Sequence, residues 1–421
     1  MNPARDTRTN RTRRTSRGGG TMAEKIKKLT FWNVMFGLIV IVGVIATIRR
    51  FALGLGATTG LSDAVPWGMW IGFDVMSGVA LAAGGFTISA LVYIFNLKEF
   101  KPIVRPAILT AFLGYILVAV GLLFDLGRPW FIWHPIIFHN PHSVMLEVAW
   151  CVMLYLTVLA LEFFPAFLER YRLTKAVKVI KIATPVLVIA GVLLSTLHQS
   201  SLGSLFLIVP HKLHPLWYST RLPWLFYTSA IAIGFGMVIV ESYLSSRAFG
   251  KSLERHIVID LSRAMLVSLV FLAVLRVQDL IARDALHYMF QGTFEAQMFW
   301  IENALLIIIP VTLVAIRRIR HHPMGPYFAG LSAVMGLVMN RMNVAVTGMS
   351  AHTGYYWPSW EEIMITVFLV TLGFAAFAWA IRNLPVFGHT PWREVVYVNP
   401  LQKTPASEQS PALHPANAWL R

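Results

Sequence analysis

Seven ionisable side chains interrupt or closely flank stretches of this sequence that are apolar enough to cross a membrane. A charge in hydrocarbon costs about 2.5 kcal/mol or more, so ionisable residues at membrane depth are usually paired and functional. When the apolar stretches are threaded through a bilayer, all seven collect towards the same face. This clustering predicts a site that handles charge or protons just beneath one membrane surface. The seven residues are Asp74, Asp125, Glu147, Arg276, Asp279, Glu302 and Arg341.

The composition indicates a polytopic membrane protein. Of the 421 residues, 56% are hydrophobic and 13% are charged, whereas soluble domains carry roughly 25% charged residues. The net charge of +16 would suit nucleic-acid binding, but the basic residues stand in short loops between apolar runs. That pattern marks membrane topology instead. We therefore expect the lipid bilayer, and no nucleic acid, as a partner.

Ten stretches reach the roughly 20 apolar residues that a spanning helix needs. They predict an all-α polytopic protein with about ten transmembrane helices and a membrane domain over residues 30–385. The spans are expected at 30–48, 68–95, 106–125, 143–165, 182–198, 222–245, 259–281, 296–316, 326–346 and 363–383.

Lysine and arginine are distributed unevenly between the two ends of these spans. Of the 36 basic residues, 28 lie on the side of the N-terminus and six on the other. The positive-inside rule then predicts that both termini lie in the cytoplasm. Residues 1–29 are interpreted as a basic, disordered cytoplasmic segment and residues 386–421 as a cytoplasmic tail. The loops on the opposite side are rich in Trp, Tyr and Pro, which suits either an interfacial belt or a docking surface for a periplasmic protein.

Spans two to five and six to nine run in the same sense, which predicts two parallel four-helix bundles with flanking helices. The third span ends with Asp125 and Arg128, and the seventh ends with Arg276 and Asp279, at the same spacing in reversed order. Residues three apart share a helix face, so each pair is expected to form a local ion pair. The bundles would occupy roughly residues 68–198 and 222–346.

The carboxylates inside the spans divide into two groups. Asp74, Glu147 and Glu302 lie deeper than the helix ends and have no cation nearby in the sequence, which favours a functional role over a structural one. Glu162 and Glu241 lie near the cytoplasmic ends of their spans and are expected to extend to the membrane surface.

Acids, a histidine and an arginine beneath the outer surface suit the redox chemistry of a quinone. Quinone reduction consumes two electrons and two protons, and it needs stabilisation of negative charge on the carbonyl oxygens. His198 and Arg341 could hydrogen-bond those oxygens, although Arg341 could also serve only to neutralise a carboxylate. The electrons must come from a partner, because the single cysteine, Cys151, cannot hold an iron–sulfur cluster.

Neither haem nor a metal ion is expected on this chain. Haem b needs axial ligands, usually histidines on facing helices at membrane depth, and no histidine falls in the middle of a predicted span. His198, at the outer end of the fifth span, is the nearest candidate and has no clear partner. His134, His139 and His142 stand in a Pro-rich loop at a spacing that matches no recognised metal site, so surface positions are favoured.

Several longer stretches carry a resemblance that covers about residues 30–385. The chain resembles the HybB-type integral membrane subunits of nickel–iron hydrogenases, within the NrfD and polysulfide-reductase membrane-subunit family. The most specific stretches are PWGMWIGFD in the segment 51–85 and TLHQSSLGSL at 196–205, supported by HPLW at 214–217, MFWIE at 298–302 and YWPSWEE at 356–362.

The resemblance implies a haem-free membrane subunit that reduces menaquinone. It also implies partners docked on the periplasmic face, namely nickel–iron hydrogenase large and small subunits and an iron–sulfur electron-transfer subunit. Its quinone pocket would lie near the outer ends of the first bundle. By position, the pocket residues here would be Trp67, Trp70, Asp74, Glu147, His198 and Gln199.

The expected mechanism assigns a role to each group. Arg341 or His198 would stabilise the quinone oxygens, while Asp74 and Glu147 would deliver protons. A proton pathway towards the cytoplasm is expected through Asp125, Arg128, Arg276, Asp279 and Glu302.

Two alternatives stay open on sequence alone. The same fold could serve a molybdopterin reductase or a multihaem cytochrome in place of a hydrogenase. A secondary transporter would also combine repeats with intramembrane charges, although here the charges lie away from the midplane.

Overall fold

The computed structural model describes residues 31–250 and 254–386, and these ranges contain ten helices long and apolar enough to cross a membrane. No strand occurs in the described ranges, so the predicted all-α class and the number of spans are confirmed. We number the helices in chain order: α1 (Phe31–Leu53), α2 (Trp70–Ile94), α3 (Lys98–Asp125), α4 (Val144–Arg170), α5 (Thr174–Ile208), α6 (Leu222–Phe249), α7 (Arg255–Ala282), α8 (Phe294–Ala315), α9 (Gly325–Thr353) and α10 (Trp360–Asn383).

The largest difference from the predicted boundaries concerns α5. The prediction placed this span at 182–198, whereas the helix runs from Thr174 to Ile208. An apolar-length rule detects only the part that crosses hydrocarbon, so it misses the lysine-bearing first turns and the small polar residues after His198. Gly203 lets the second part of α5 approach α6 closely, because a Cβ there would lie 2.7 Å from the backbone oxygen of Leu222 on α6. The close approach packs α5 against α6.

The contacts between helices divide them into three groups, two bundles of four helices that are consecutive in the chain and one flanking pair. Helices α2–α5 pack on one another as a first bundle, and α6–α9 pack as a second bundle. The bundles meet where α2 and α5 contact α6 and α9. Helix α1 packs along α10, and this flanking pair lies against α2 and α3 of the first bundle.

Helix α2 is the least regular of the ten. It begins with a π-helical segment, Trp70–Ser77, and ends with another, Ala90–Ile94. A third π-helical segment, Ala304–Ile308, follows Glu302 directly in α8. Single π-helical turns in α-helices occur frequently at functional sites. Two of the three segments here contain or adjoin a carboxylate singled out in the sequence, Asp74 in one case and Glu302 in the other.

Glycine permits the close approach of α8 and α9 beside the π-helical segment of α8. A Cβ at Gly336 would collide with backbone atoms of Leu305 and Leu306. We expect Gly336→Ala to lower the free energy of unfolding by about 1–3 kcal/mol, because a backbone has to shift. The matched control is Gly37→Ala in α1, where nothing lies within 4 Å and alanine should be neutral or slightly stabilising. Thermal unfolding in detergent measures both; equal midpoints would contradict the prediction.

The connections differ in length between the two ends of the molecule. One end, which we call the long-loop end, carries residues 54–69, 126–143, 209–221, 283–293 and 354–359. At the opposite end, the short-loop end, the connections are brief. Residues 1–29 and nearly all of 386–421, interpreted above as cytoplasmic segments, lie outside the described residues; Val386 is described and buried.

Candidate functional site

A group of buried polar side chains occupies the interior of the first bundle. His198 is fully buried, and its Nδ1 lies 2.9 Å from the Tyr115 hydroxyl. Gln199, also fully buried, donates from Nε2 to the backbone oxygen of Val79 at 3.1 Å. His198 Nε2 and Gln199 Oε1 have no partner among the described residues. Buried polar atoms are nearly always hydrogen-bonded, so these two point to a water or ligand position.

Tyr155 and Ser195 enlarge this group. Their hydroxyls are buried without a hydrogen-bond partner among the described residues, and the Tyr155 ring packs edge-on against Tyr115 at 4.7 Å. Neither residue was selected from the sequence, because hydroxyls inside apolar spans usually bond the preceding helical turn. We call His198, Gln199, Tyr115, Tyr155 and Ser195 the first-bundle polar cluster.

Glu147 lies on the long-loop side of this cluster. Its carboxylate accepts a hydrogen bond of 2.5 Å from Ser201, which stands one turn from His198 on α5. Ser143 caps the start of α4, accepting from the amide of Leu146, and this cap positions Glu147 in the first turn. Glu147 itself is exposed. The structure therefore places an accessible carboxylate on the long-loop side of the buried histidine, whereas the sequence suggested a deeper position for Glu147.

His198 lies deeper than predicted. It was expected at the outer end of its span, but α5 continues for ten residues beyond it. The histidine consequently lies inside the bundle, among side chains of α3, α4 and α5.

Asp74 and Trp70 face a different direction from the first-bundle polar cluster. Thr366 of α10 donates to Asp74 at 2.6 Å, and the Trp70 indole donates to the backbone oxygen of Glu362 at 3.4 Å. A Cβ at Gly121 on α3 would lie 3.1 Å from the Asp74 Cβ, so α3 approaches Asp74 closely. These two predicted pocket residues therefore adjoin the flanking pair.

Trp67 takes a third position. Its half-buried ring packs edge-on against Phe206 at a centroid distance of 5.1 Å. Phe206 in turn lies 6.1 Å from Phe226 of α6. Trp67 thus belongs to an aromatic layer between the two bundles at the long-loop end.

The stretch YWPSWEE ties α10 to the loop before α2. Glu362 accepts from the amide of Gly60 at 2.8 Å and from the Tyr356 hydroxyl, which itself accepts from the amide of Met69 at 2.9 Å. Burial, together with the hydrogen bond to Glu362, raises the pKa of Tyr356 above its ordinary value. Tyr356 therefore stays protonated and donates to Glu362 throughout the physiological pH range.

The predicted Asp125–Arg128 ion pair is absent from the described residues. Helix α3 ends at Asp125, so Arg128 lies beyond the helix and is exposed. Arg50 of α1 occupies the position instead: it is buried and donates to the backbone oxygens of Phe124 and Leu126 at 2.8 and 2.9 Å. The spacing rule failed because it assumes that the helix continues through both residues.

In the second bundle, Glu302 is the acceptor at the centre of a polar network. It is fully buried and forms an ion pair with Arg276 at 2.5 Å. Its oxygens also accept from Trp217 and Asn340 at 2.8 Å each and from Asn343 at 2.9 Å. All four partners lie on other helices or on loop 209–221, so the sequence contained no local sign of them.

Asp279 has partners other than the one predicted. Arg283 donates to it from both Nε and Nη2, at 2.9 and 2.7 Å, and Ser219 donates at 2.6 Å. The expected Arg276–Asp279 pair is therefore wrong, because Arg276 turns to Glu302. Helix spacing alone cannot choose between a partner on the same helix and one on the facing helix.

Arg341 lies in the second bundle and does not contact the first-bundle polar cluster. Its guanidinium donates to Asn340 at 2.7 Å, to Ser229 at 2.8 Å and to the backbone oxygen of Phe226 at 3.2 Å. The Phe226 ring stacks beneath it, 3.7 Å from the guanidinium carbon. A place for Arg341 on the same quinone as His198 is therefore not supported.

Glu241 does not extend to the membrane surface as predicted. It is 9% exposed, and neither carboxylate oxygen has a hydrogen-bond partner among the described residues. Glu162 likewise has one buried oxygen without a partner. Glu241 lines a cleft of about 1680 Å³ at the short-loop end, where Lys98, Arg105 and Glu169 are also exposed to the opening. Neighbouring helices extend beyond both acids and cover them.

Loop 209–221 covers the second bundle at the long-loop end and carries a histidine sensitive to pH. His214 Nδ1 accepts from the amide of Leu216 at 3.2 Å, and burial lowers the pKa of His214 below its ordinary value of 6.5. The folded state thus binds fewer protons here than the unfolded state. This contribution to stability is present above about pH 6.5 and is lost as the pH falls below it.

We therefore expect the wild-type protein to lose more stability between pH 7 and pH 5 than a His214→Asn variant. Asparagine keeps an acceptor for the Leu216 amide but does not titrate. Unfolding midpoints across this range measure the difference, and parallel pH profiles would contradict the assignment.

No group of three His, Cys, Asp or Glu side chains suited to a metal ion occurs within residues 31–250 and 254–386. Of the histidines in those ranges only His198 is buried, and its Nδ1 is already bonded to Tyr115. A haem held between two facing histidines does not fit this arrangement. That the chain binds no haem and no metal stays a prediction.

Comparison of the sequence with known proteins shows similarity to membrane subunits of redox complexes. Residues 57–353 match the family described as polysulphide reductase, NrfD. A protein of Nitratidesulfovibrio vulgaris is 40% identical over 376 residues, covering 86% of this chain and 96% of the relative. The probable Ni/Fe-hydrogenase 2 b-type cytochrome subunit of Escherichia coli is 34% identical over 361 residues, covering 84% and 91%. The menaquinone reductase integral membrane subunit of N. vulgaris is 29% identical over 393 residues, covering 85% and 91%.

Proposed function

Because this chain belongs to the polysulphide reductase NrfD family, we propose that it is the quinone-reactive membrane anchor of a respiratory oxidoreductase. In this role it receives electrons from a periplasmic hydrogenase through iron–sulfur partners and passes them to menaquinone. The observation that carries the proposal is His198, fully buried in the first bundle with Nε2 unpartnered among the described residues. The names of two relatives, one a hydrogenase subunit and one a menaquinone reductase subunit, support both ends of the electron path.

His198 is arranged to donate to a quinone oxygen. When the Tyr115 hydroxyl donates to Nδ1, the imidazole proton is held on Nε2. A neutral imidazole in this tautomer donates one hydrogen bond from Nε2, which stabilises the quinone oxygen as it gains negative charge, while the protons come through carboxylates. Gln199 adds a fixed amide beside it, since its Nε2 is anchored to Val79.

Glu147 is the proposed proton donor on the long-loop side. Quinone reduction to quinol takes two electrons from the partner and two protons from water, which an accessible carboxylate can relay. Glu147 is exposed and bonded to Ser201, one turn from His198. Asp74, with Trp70, adjoins the flanking pair, so we propose it as a second proton donor reached from the α10 side through Thr366.

The long-loop end is the proposed docking surface for the iron–sulfur subunit. Large aromatic side chains stand exposed there, with Trp357 at 81% exposure. Exposed apolar clusters of this kind mark protein contacts, and aromatic residues are enriched in the centres of interfaces. The others are Trp130, Phe138, Phe290 and Tyr355.

Proton transfer towards the cytoplasm forms a further part of the proposal. The predicted pathway residues of the second bundle form two separate ion pairs, since Glu302 is bonded to Arg276 and Asp279 to Arg283. On this route, Glu302→Gln should lower proton coupling while quinone binding persists. Loss of quinone binding instead would contradict it.

A second route is favoured by two acids that have buried oxygens without a hydrogen-bond partner among the described residues, Glu162 and Glu241. Glu241 lines the cleft at the short-loop end, and Glu162 lies on α4, the helix that carries Tyr155 of the first-bundle polar cluster. Tyr155, two turns from Glu162 on α4, also has an unpartnered hydroxyl. Proton uptake by reconstituted vesicles would decide between the routes, since Glu241→Gln should reduce it on this one alone.

The test of the proposed function is mass spectrometry of the complex extracted from native membranes in mild detergent. Nickel–iron hydrogenase large and small subunits with an iron–sulfur protein would support the proposal, and hydrogen-dependent menaquinone reduction would then be measured directly. A molybdopterin or multihaem partner would favour the second candidate, the same quinone role with another donor or acceptor. Absence of any redox partner would contradict both and favour a transporter.

A further inference from the structure

A small polar cavity in the second bundle carries one more positive charge than negative charge. About 30 Å³ in volume, it lies between α6, α7 and α9 and is lined by three arginines, namely Arg276, Arg283 and Arg341, and by one acid, Asp279. Among the described residues, the only other acid paired to this group is Glu302, through Arg276. Three cations therefore face two anions.

The two carboxylates are already occupied. Glu302 accepts from four donors, and its charge is balanced by Arg276 at 2.5 Å. Asp279 is balanced by Arg283 at 2.7 Å. No hydrogen bond or ion pair joins Arg341 to either carboxylate among the described residues.

Arg341 is thus a buried cation with neutral partners only. It is 1% exposed, and its three hydrogen bonds go to an amide, a hydroxyl and a backbone oxygen. Its Nε is buried without any partner in the described part of the chain. An uncompensated charge in a low-dielectric interior is strongly unfavourable, whereas paired and fully bonded charges are tolerated.

We propose that this cavity binds one small monovalent anion of halide size, held by the Arg341 guanidinium. The free Nε of Arg341 supplies a charged donor, and the Asn340 and Ser229 side chains orient the guanidinium from its other edge. The anion would complete the charge balance of the cavity. It would also lock the contact between α6 and α9, since Arg341 belongs to α9 and Ser229 to α6.

The volume decides against larger occupants. An engineered cavity of about 150 Å³ binds benzene, so a cavity of about 30 Å³ is too small for a quinone ring. Water alone fits the volume, because about 10–15 Å³ suffices for one molecule. Water, however, leaves the third arginine without a counter-charge, so the charge count favours an anion.

The test compares unfolding midpoints of the detergent-purified complex in sodium chloride, sodium bromide and sodium gluconate, at equal ionic strength and pH. Gluconate is too large for the cavity. Binding to the folded state alone should raise the midpoint saturably, by about 1–2 °C at about tenfold excess over Kd, in chloride and bromide only. Equal midpoints in the three salts would overturn the proposal.

Two arginine variants connect the effect to the cavity. Arg341→Met should abolish the difference between halide and gluconate. Arg263→Met, which alters an exposed arginine paired with Asp260 away from the cavity, should retain it. A halide effect that persists in Arg341→Met would overturn the assignment. If that variant does not fold, anomalous scattering from bromide in crystals of the wild-type complex decides whether an anion lies beside Arg341.

Discussion

His198→Phe should lower the rate of menaquinone reduction about 100-fold while leaving the complex assembled. Phenylalanine keeps an aromatic ring, slightly larger than imidazole, at this position but offers no hydrogen bond to a quinone oxygen. Loss of one positioned donor to an oxygen that gains charge typically costs about 10²–10³-fold in rate, so about 100-fold is the lower expectation. The loss should appear in kcat, because the group acts where charge develops on the oxygen.

The measurement separates quinone chemistry from partner activity. Reduction of a soluble dye by the partner subunits bypasses this chain, so it should be unchanged in His198→Phe, while menaquinone reduction falls. Tyr115→Phe removes only the hydroxyl that orients the imidazole and should give a smaller loss of about tenfold, within the range for one hydrogen bond. The control is His256→Phe, an exposed histidine at the start of α7. Normal menaquinone reduction by His198→Phe would remove His198 from the mechanism.

Glu302→Leu should produce the largest loss of stability of any single carboxylate replacement in the described ranges. Leucine has a similar volume but leaves Arg276 buried without its counter-charge and removes the acceptor from Trp217, Asn340 and Asn343. Removing one partner of a buried ion pair costs about 3–5 kcal/mol, because the remaining charge is uncompensated. The second bundle depends on this one acceptor, since its donors come from α7, α9 and loop 209–221.

Two comparisons make the stability prediction specific. Glu302→Gln keeps one carbonyl acceptor for the neutral donors, so we expect it to be destabilised less than Glu302→Leu. Glu295→Leu alters a half-buried carboxylate on the same helix whose bond, from Ser350, is 3.3 Å long, and it should change the free energy of unfolding by less than about 1 kcal/mol. Equal unfolding midpoints for Glu302→Leu and Glu295→Leu would contradict the role assigned to the network.

The residues of the candidate site differ in how far the sequence could identify them. Glu147, His198 and Gln199 were selected on type and resemblance, and the structure brings them to one side of α4 and α5. Tyr115 and Tyr155 could have been noticed only as hydroxyls that recur inside apolar spans. Their relevance comes from facing the same interior, which depends on how each helix is rotated.

The ion pairs show the limit of spacing rules most clearly. Sequence neighbours suggested that Arg276 pairs with Asp279, yet Glu302 is the stronger partner because it is fully buried and approached from several helices. Likewise, the spacing paired Asp125 with Arg128, whereas Arg50 of α1 donates to backbone oxygens at the end of α3. In both cases, the observed partner comes from another helix. Burial favours that contact, because it satisfies a charged group that would otherwise face hydrocarbon.

By itself, the sequence determined the class of the protein, the ten spans and the side of the molecule on which the reactive groups collect. These features follow from length and hydrophobicity, because a bilayer imposes one spanning length on every helix. Only the tertiary structure decided helix rotation and the charge partners that result from it. Rotation separates Asp74, at the flanking pair, from His198 in the first bundle, and places Arg341 by the cavity in the second. Lipid solvates every apolar helix face equally well, so the rotation of each helix is set by the packing of small and polar side chains between helices.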